Sequence, residues 1–265
     1  MARYRCFDEC ESGLSVCAKS TEILNFRKVN EIKSERCLFF GDELLDRFLL
    51  GLRPGYVFLL YGSSQCLAVS LHLSVRVQLD LQKGGLESRV VFIDAGNSFD
   101  PYLAAQYGEK YALDRDRVLD RIFVSRAFTC HELTSLITET LGRALREYGA
   151  RLAVISDVIE LYRDPDVRNI RCLDLFKTAL NSMVSIARAE KTIVLATSLN
   201  EDLSGLDLFL RAAKERVDVI LRFEERHSST RLFLEKHPTC STGSLLLKQP
   251  TPRVLEEFLE VTRDG

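Results

Sequence analysis

Apolar and polar positions along this chain follow two periods, and the switches between them outline a fold. Asp42 to Leu50 carries its apolar residues on one helical face and is stopped by Gly51 and Pro54. Tyr56 to Tyr61 is an unbroken apolar run, which predicts a strand buried on both faces. Gln65 to Gln82 returns to helical spacing, with Leu67, Leu71, Val75 and Leu81 near one face, and Lys83-Gly84-Gly85 ends it. The alternation then repeats. Strands are expected at Arg89 to Asp94, Arg121 to Val124, Leu152 to Ser156 and Thr192 to Thr197, and helices at Pro101 to Tyr111, His131 to Tyr148 and Ile170 to Glu190. Short apolar strands separated by helices make β-α-β units, so the fold class is α/β with a mostly parallel central sheet flanked by helices. Beyond it, Val217 to Phe223, Thr230 to Glu235 and Ser244 to Lys248 read as antiparallel strands joined by short polar turns. Residues 1–36 read as an arm, with a short helix at Thr21 to Lys28 and a charged connector after it, and residues 37–265 as one domain.

Charge narrows the function classes. The formal net charge over 265 residues is −2, so a protein that holds DNA by bulk positive charge is excluded. Any DNA contact must come from a local patch or through a partner. No apolar run reaches the roughly 20 residues of a membrane span. Met1 to Cys10 is polar and charged, so no signal peptide and a cytoplasmic location are expected. Eight cysteines include no C-x-x-C pair. Zinc held by Cys6, Cys10 and Cys17 is one reading and buried free thiols the other, with disulfides reserved for a hyperthermophile source.

The stretch between the first buried strand and the next helix is where nucleotide-binding α/β folds place G-x-x-x-x-G-K-[ST]. There, backbone amides cradle phosphate, lysine neutralises it and the hydroxyl holds magnesium. Here it reads G-S-S-Q-C-L-A-V from Gly62. The first glycine is kept, while the second glycine, the lysine and the hydroxyl residue are Leu67, Ala68 and Val69. Leu67 adds a side chain where the backbone must approach closely, Ala68 leaves the phosphates without a cation, and Val69 cannot coordinate a metal. Binding of ATP and magnesium is therefore expected to be lost, and no catalytic or metal-ligating residue is assigned.

Several longer segments resemble the RadA/RecA recombinase family, in its archaeal and eukaryotic branch, from Thr21 onward. F-G-D-E-L-L-D from Phe40 is similar to T-G-S-x-x-L-D. G-G-L-E-S-R-V-V-F-I-D from Gly84 is similar to G-G-L-E-G-K-V-V-Y-I-D. L-D-R-D-R-V-L-D-R-I-F-V-S-R-A-F from Leu113 resembles L-D-P-x-x-V-L-D-N-I-x-V-A-R-A-F. The resemblance implies a RecA-like P-loop ATPase fold. It also implies that the water-activating glutamate falls on Gly96, the metal-associated acid on Ser156 or, with a one-residue slip, on Asp157, and the sensing glutamine near Leu199. Of the family's two DNA loops, the first would offer Arg163, Arg168 and Arg171 to phosphates or be a solvated surface loop. The second, Ser198 to about Leu208, carries Glu201, Asp202 and Asp207 and repels DNA. The arm is too short for the family's helix-hairpin-helix domain, and its nearest match to the F-x-x-A assembly motif, Cys17 to Ser20, lacks the phenylalanine.

These observations identify an archaeal RadA paralogue of the RadC-like kind, with degenerate nucleotide motifs. The function they imply is that of a non-catalytic accessory factor in recombination and repair, acting through a RadA-type recombinase or weak single-stranded DNA binding. One alternative is a weak ATPase with a relocated site in which Lys83 or Arg89 substitutes for the missing cation. Another is a KaiC-like regulatory protein.

Overall fold

The computed structural model describes residues 36–163, 170–199, 207–226 and 229–248. Residues 1–35, with Cys6, Cys10 and Cys17, lie outside them. The first helix, α1 (Glu43–Leu49), starts where Asp42 accepts hydrogen bonds from the Leu44 and Leu45 amides at 3.0 and 2.9 Å. It ends with Leu50 in the left-handed region (φ 56°). There follow β1 (Val57–Tyr61), α2 (Gln65–Arg76), β2 (Arg89–Asp94), α3 (Pro101–Glu109), α4 (Arg115–Leu119) and β3 (Ile122–Arg126). Next come α5 (Cys130–Ser135), a π turn at Leu136–Thr140, α6 (Leu141–Tyr148), β4 (Ala150–Ser156), α7 (Ile170–Glu190), β5 (Ile193–Ser198) and α8 (Leu208–Arg216). The antiparallel tail is β6 (Val219–Arg226), β7 (Ser229–Lys236) and β8 (Gly243–Lys248).

The eight described strands form one sheet in the order β3-β2-β4-β5-β1-β6-β7-β8, parallel as far as β6 and antiparallel through β7 and β8. The apolar runs divide by strand alternation between two cores. Val57, Leu59, Ile93, Ala153 and Val194 face α5 to α8, whereas Phe58, Leu60, Phe92, Val154 and Leu195 face α1 to α4. Among the described residues no helix is long and apolar enough to cross a membrane. The described cysteines are free thiols, all buried except the half-buried Cys240.

The structure corrects several expected boundaries. The helix expected to run to Gln82 ends at Arg76, and Leu81–Lys83 is a separate 3-10 turn. Its end is fixed by the buried Arg76 guanidinium, which donates to Phe39 O at 2.6 Å and Lys83 O at 2.8 Å. The helices α4 and α8 were not expected. Each begins at an aspartate, Asp114 or Asp207, whose carboxylate accepts from the amides of the first turn. β3 extends to Arg126 and β6 to Arg226, past the apolar residues that marked them.

Candidate functional site

Because β1, β2, β4 and β5 run parallel, their carboxyl ends deliver Gly62, Asp94, Ser156 and Ser198 to one edge, where open α/β sheets place their ligands. Asp94 pairs in register with Ser156, and Tyr61 with Ser198, so these positions lie at one level. Gly62 is needed there for its backbone. Its φ is +107°, and a Cβ would stand 2.5 Å from Phe223 O of β6. Its N–H donates to Ser198 O at 3.2 Å.

The loop after Gly62 is a short turn. α2 begins at Gln65, so the motif positions Leu67, Ala68 and Val69 are already helical. The amides of Cys66 and Leu67 donate to Ser63 O and Ser64 O at 3.1 Å, and that of Ala68 to Ser64 O at 3.5 Å. The Gln65 amide is taken by Ser63 Oγ at 3.2 Å. A phosphate cradle requires such N–H groups to point at the ligand. Leu67 and Val69 pack, half-buried, on the α1 to α4 core. Burial pushes the Cys66 thiol up to about 12, so it stays protonated and is no nucleophile.

Asp94 organises the next loop. Fully buried, it accepts from Ser98 N at 2.9 Å, Phe99 N at 3.1 Å and Ser156 Oγ at 2.8 Å, with Arg126 Nε at 3.6 Å. Sequence reasoning gave this carboxylate no role, although an aspartate ending an apolar strand was a visible signal. Gly96 lies in that loop, where a Cβ would sit 3.0 Å from Asp157 Cβ. Of the two positions left open for the metal-associated acid, Ser156 is the last residue of β4 and is held by Asp94. Asp157 lies just beyond it with φ +46°. Burial raises the Asp157 carboxyl, and the Leu199 amide, 3.4 Å from Oδ1, only partly opposes this. Leu199, the sensor position, is 39% exposed. Ser198 Oγ is buried and has no hydrogen-bond partner among the described residues. One unsatisfied hydroxyl does not offset the charge of a triphosphate.

Two cations beside Tyr61 and Gly62 are already held. Lys214 Nζ lies 2.6 Å from Tyr61 Oη and 3.1 Å from Glu235, and Arg222 Nε lies 2.9 Å from Glu235. Burial pushes Glu235 up, but the hydrogen bonds from Tyr61, Lys214 and Arg222 outweigh it and keep the carboxyl below its ordinary value. Lys83 and Arg89, the cations considered as substitutes, stand before or at the first residue of β2. They belong to the amino edge, a strand length of roughly 17 Å from Gly62's edge. Arg163, left open between a phosphate contact and a solvated surface loop, is ion-paired with Asp207 and lies 3.7 Å from Glu160. Arg168 and the side chain of Arg171 lie outside the described residues, as do Glu201 and Asp202.

The Rad51 family model matches residues 37–205, more than half of the chain. Among curated proteins, a DNA repair protein RAD51 homolog of Solanum lycopersicum is 27% identical over 147 residues, covering 53% of this chain and 43% of the relative. A DNA repair protein Rad51 homolog of Drosophila melanogaster is 30% identical over 126 residues, 46% of this chain and 37% of the relative. The matched stretch thus spans less than half the length of either relative.

Proposed function

The chain belongs to the Rad51 family, and on that premise we propose that it is a non-catalytic member, a RadA paralogue of archaeal type. In this reading it assists homologous recombination and DNA repair through a RadA-type recombinase, single-stranded DNA or both. The observation that carries the proposal is the loop after Gly62, whose Cys66, Leu67 and Ala68 amides are turned onto the carbonyls of Ser63 and Ser64. A triphosphate with its magnesium does not fit these residues. It would be desolvated with no cation from Gly62 to Val69, and the nearby Lys214 and Arg222 would have to leave Glu235. The position of the family's base is a glycine, Gly96. Neither Lys83 nor Arg89 supports a relocated ATPase, since both stand at the opposite edge of the sheet.

A route to the recombinase is an open sheet edge. β3 pairs only with β2 among the described strands, and beside it Val124 and Phe128 are 39% and 68% exposed. An unpaired strand edge accepts an extended segment of another chain by main-chain hydrogen bonding. The nearest F-x-x-A match, at Cys17 to Ser20, lacks its phenylalanine, so this chain would receive a neighbour's segment without offering its own. The test is capture of the recombinase from the same organism together with a strand-exchange assay. Expected are a complex unaffected by ATP and a change in exchange rate. No complex and no change would overturn the proposal, as would ATP turnover by the chain itself.

A further inference from the structure

Three arginines meet where β2 and β3 begin, at the amino edge of the sheet. The two strands pair in parallel with Val90 opposite Ile122, and the Val90 amide donates to Arg121 O at 2.9 Å. Arg89 and Arg121, each one residue earlier, are therefore neighbours across the pair. Arg117 lies on α4, four residues before Arg121, and the turn continues through a hydrogen bond from Arg121 N to Val118 O at 3.4 Å. That spacing puts Arg117 and Arg121 on one helical face.

Little inside the chain holds these groups. Arg89 Nη1 donates to Tyr148 O at 3.3 Å, and Arg121 Nη2 to Glu87 O at 3.0 Å. Arg121 Nε is buried and has no hydrogen-bond partner among the described residues. None of the three arginines is ion-paired with a carboxylate among the described residues. Elsewhere the chain pairs its cations: Arg146 with Glu190, Arg163 with Asp207, Arg188 with Asp218 and Arg222 with Glu235. Acids are not scarce, at 38 against 36 lysines and arginines. Burial lowers the Arg121 guanidinium from its ordinary value, and the charges of Arg117 and Arg89 lower it further. Like charges on adjacent strands, or one helical turn apart, oppose folding. An anion from outside the chain would offset that repulsion and satisfy Arg121 Nε.

Guanidinium forks bind phosphate oxygens in pairs, and three of them side by side suit a polyanion better than a single charge. A docked protein draws its affinity from buried apolar anchors. The segments that carry the arginines, 87–90 and 115–121, expose no large apolar side chain. We propose that Arg89, Arg117 and Arg121 grip the phosphodiester backbone of DNA without reading its sequence. This rests on the DNA-binding half of the function proposed above, and adds to it a contact on the sheet edge opposite Arg163.

The experiment is fluorescence anisotropy of the full chain with a labelled oligothymidylate, and with its duplex with oligodeoxyadenylate, across a salt series. Arg117→Gln is the principal variant, because Arg117 is exposed and its side chain has no hydrogen bond or ion pair among the described residues. Lys177→Gln, at an exposed lysine of α7, makes the same change in charge elsewhere. Arg89→Glu/Arg117→Glu reverses two charges of the patch. Expected is salt-sensitive binding. The slope of log affinity against log salt should fall by about 0.9 on duplex, or about 0.7 on the single strand, for each contact removed. The double variant should lose at least roughly tenfold in affinity at low salt, and Lys177→Gln should keep wild-type affinity. The Tm of Arg117→Gln should stay level or rise, since a repulsion is removed. Inorganic phosphate and polyglutamate at matched charge should compete poorly. Overturning results are no binding of either DNA by the wild-type chain, wild-type affinity and slope in the double variant, an equal loss in Lys177→Gln, or equal competition by free phosphate or polyglutamate. Recombinase capture on the same proteins separates the two claims. Capture without DNA binding strikes the arginine patch and leaves the accessory function standing, and DNA binding lost in Arg117→Gln without capture does the reverse.

Discussion

Replacing Gly62 with alanine separates a glycine kept for phosphate from one kept for packing. At φ +107° an alanine sits in a region that costs an L residue of order 1–3 kcal/mol. Its Cβ would also be 2.5 Å from Phe223 O, a backbone atom that moves only if β6 moves. Overpacking of that kind adds about 1–3 kcal/mol, for a total near 4 kcal/mol. Gly149 supplies an internal control, because its φ is +62° and nothing lies within 4 Å of a Cβ built there. Gly149→Ala should therefore cost only about 1 kcal/mol. Urea unfolding of both variants, followed by circular dichroism without nucleotide, measures the difference. The expected gap of about 3 kcal/mol corresponds to roughly 10 °C in Tm for a domain of this size. Equal midpoints, within about 0.5 kcal/mol, would refute the claim that contact with β6 is what requires the glycine.

Three further outcomes follow from named contacts. Burial, with Arg76 and Lys110 adding, lowers the His72 imidazole to about 4, and its Nε2 lies 2.7 Å from Tyr111 Oη. Between pH 6.5 and 4 the unfolded chain binds a proton there that the folded chain refuses. Stability should therefore fall on acidification by about 3 kcal/mol relative to His72→Gln, and a pH series of melts showing parallel curves would contradict this. Asp207→Asn keeps a residue able to cap α8 but removes the ion pair with Arg163. It should cost about 1–2 kcal/mol in chemical unfolding, whereas a cost above that of Asp207→Ala would be inconsistent with a capping role. Arg76→Met leaves Phe39 O and Lys83 O without their donor. It should destabilise by about 2–4 kcal/mol, and hydrogen exchange should show the loss first in the segment from Leu38 to Gly41.

The layout of the sheet was legible because strands buried on both faces are written as continuous apolar runs, as at Tyr56 to Tyr61 and Arg89 to Asp94. The end of α2 was not, because Val77 and Leu79 keep an apolar pattern past Arg76 and the stop is a tertiary contact. The short helices α4 and α8 were announced only by their capping aspartates, a signal present and overlooked. The substitutions at Leu67, Ala68 and Val69 were readable by spacing. The early start of α2 and the turning of its amides were not, since they depend on how Ser63 and Ser64 fold back. That Lys83 and Arg89 face the wrong edge could have been inferred from strand direction alone.

The most direct test of a scaffold without its nucleotide chemistry is ATP titration in excess magnesium by calorimetry, paired with thermal unfolding. A ligand at one hundred times its dissociation constant stabilises a protein by about 2.7 kcal/mol. At 1 mM, even binding of order 10 μM would thus raise Tm by roughly 5–10 °C. The expected result is no saturable heat and an unchanged Tm at that concentration. A micromolar isotherm with a matching rise in Tm, abolished when Ser63 and Ser64 are replaced, would contradict the account.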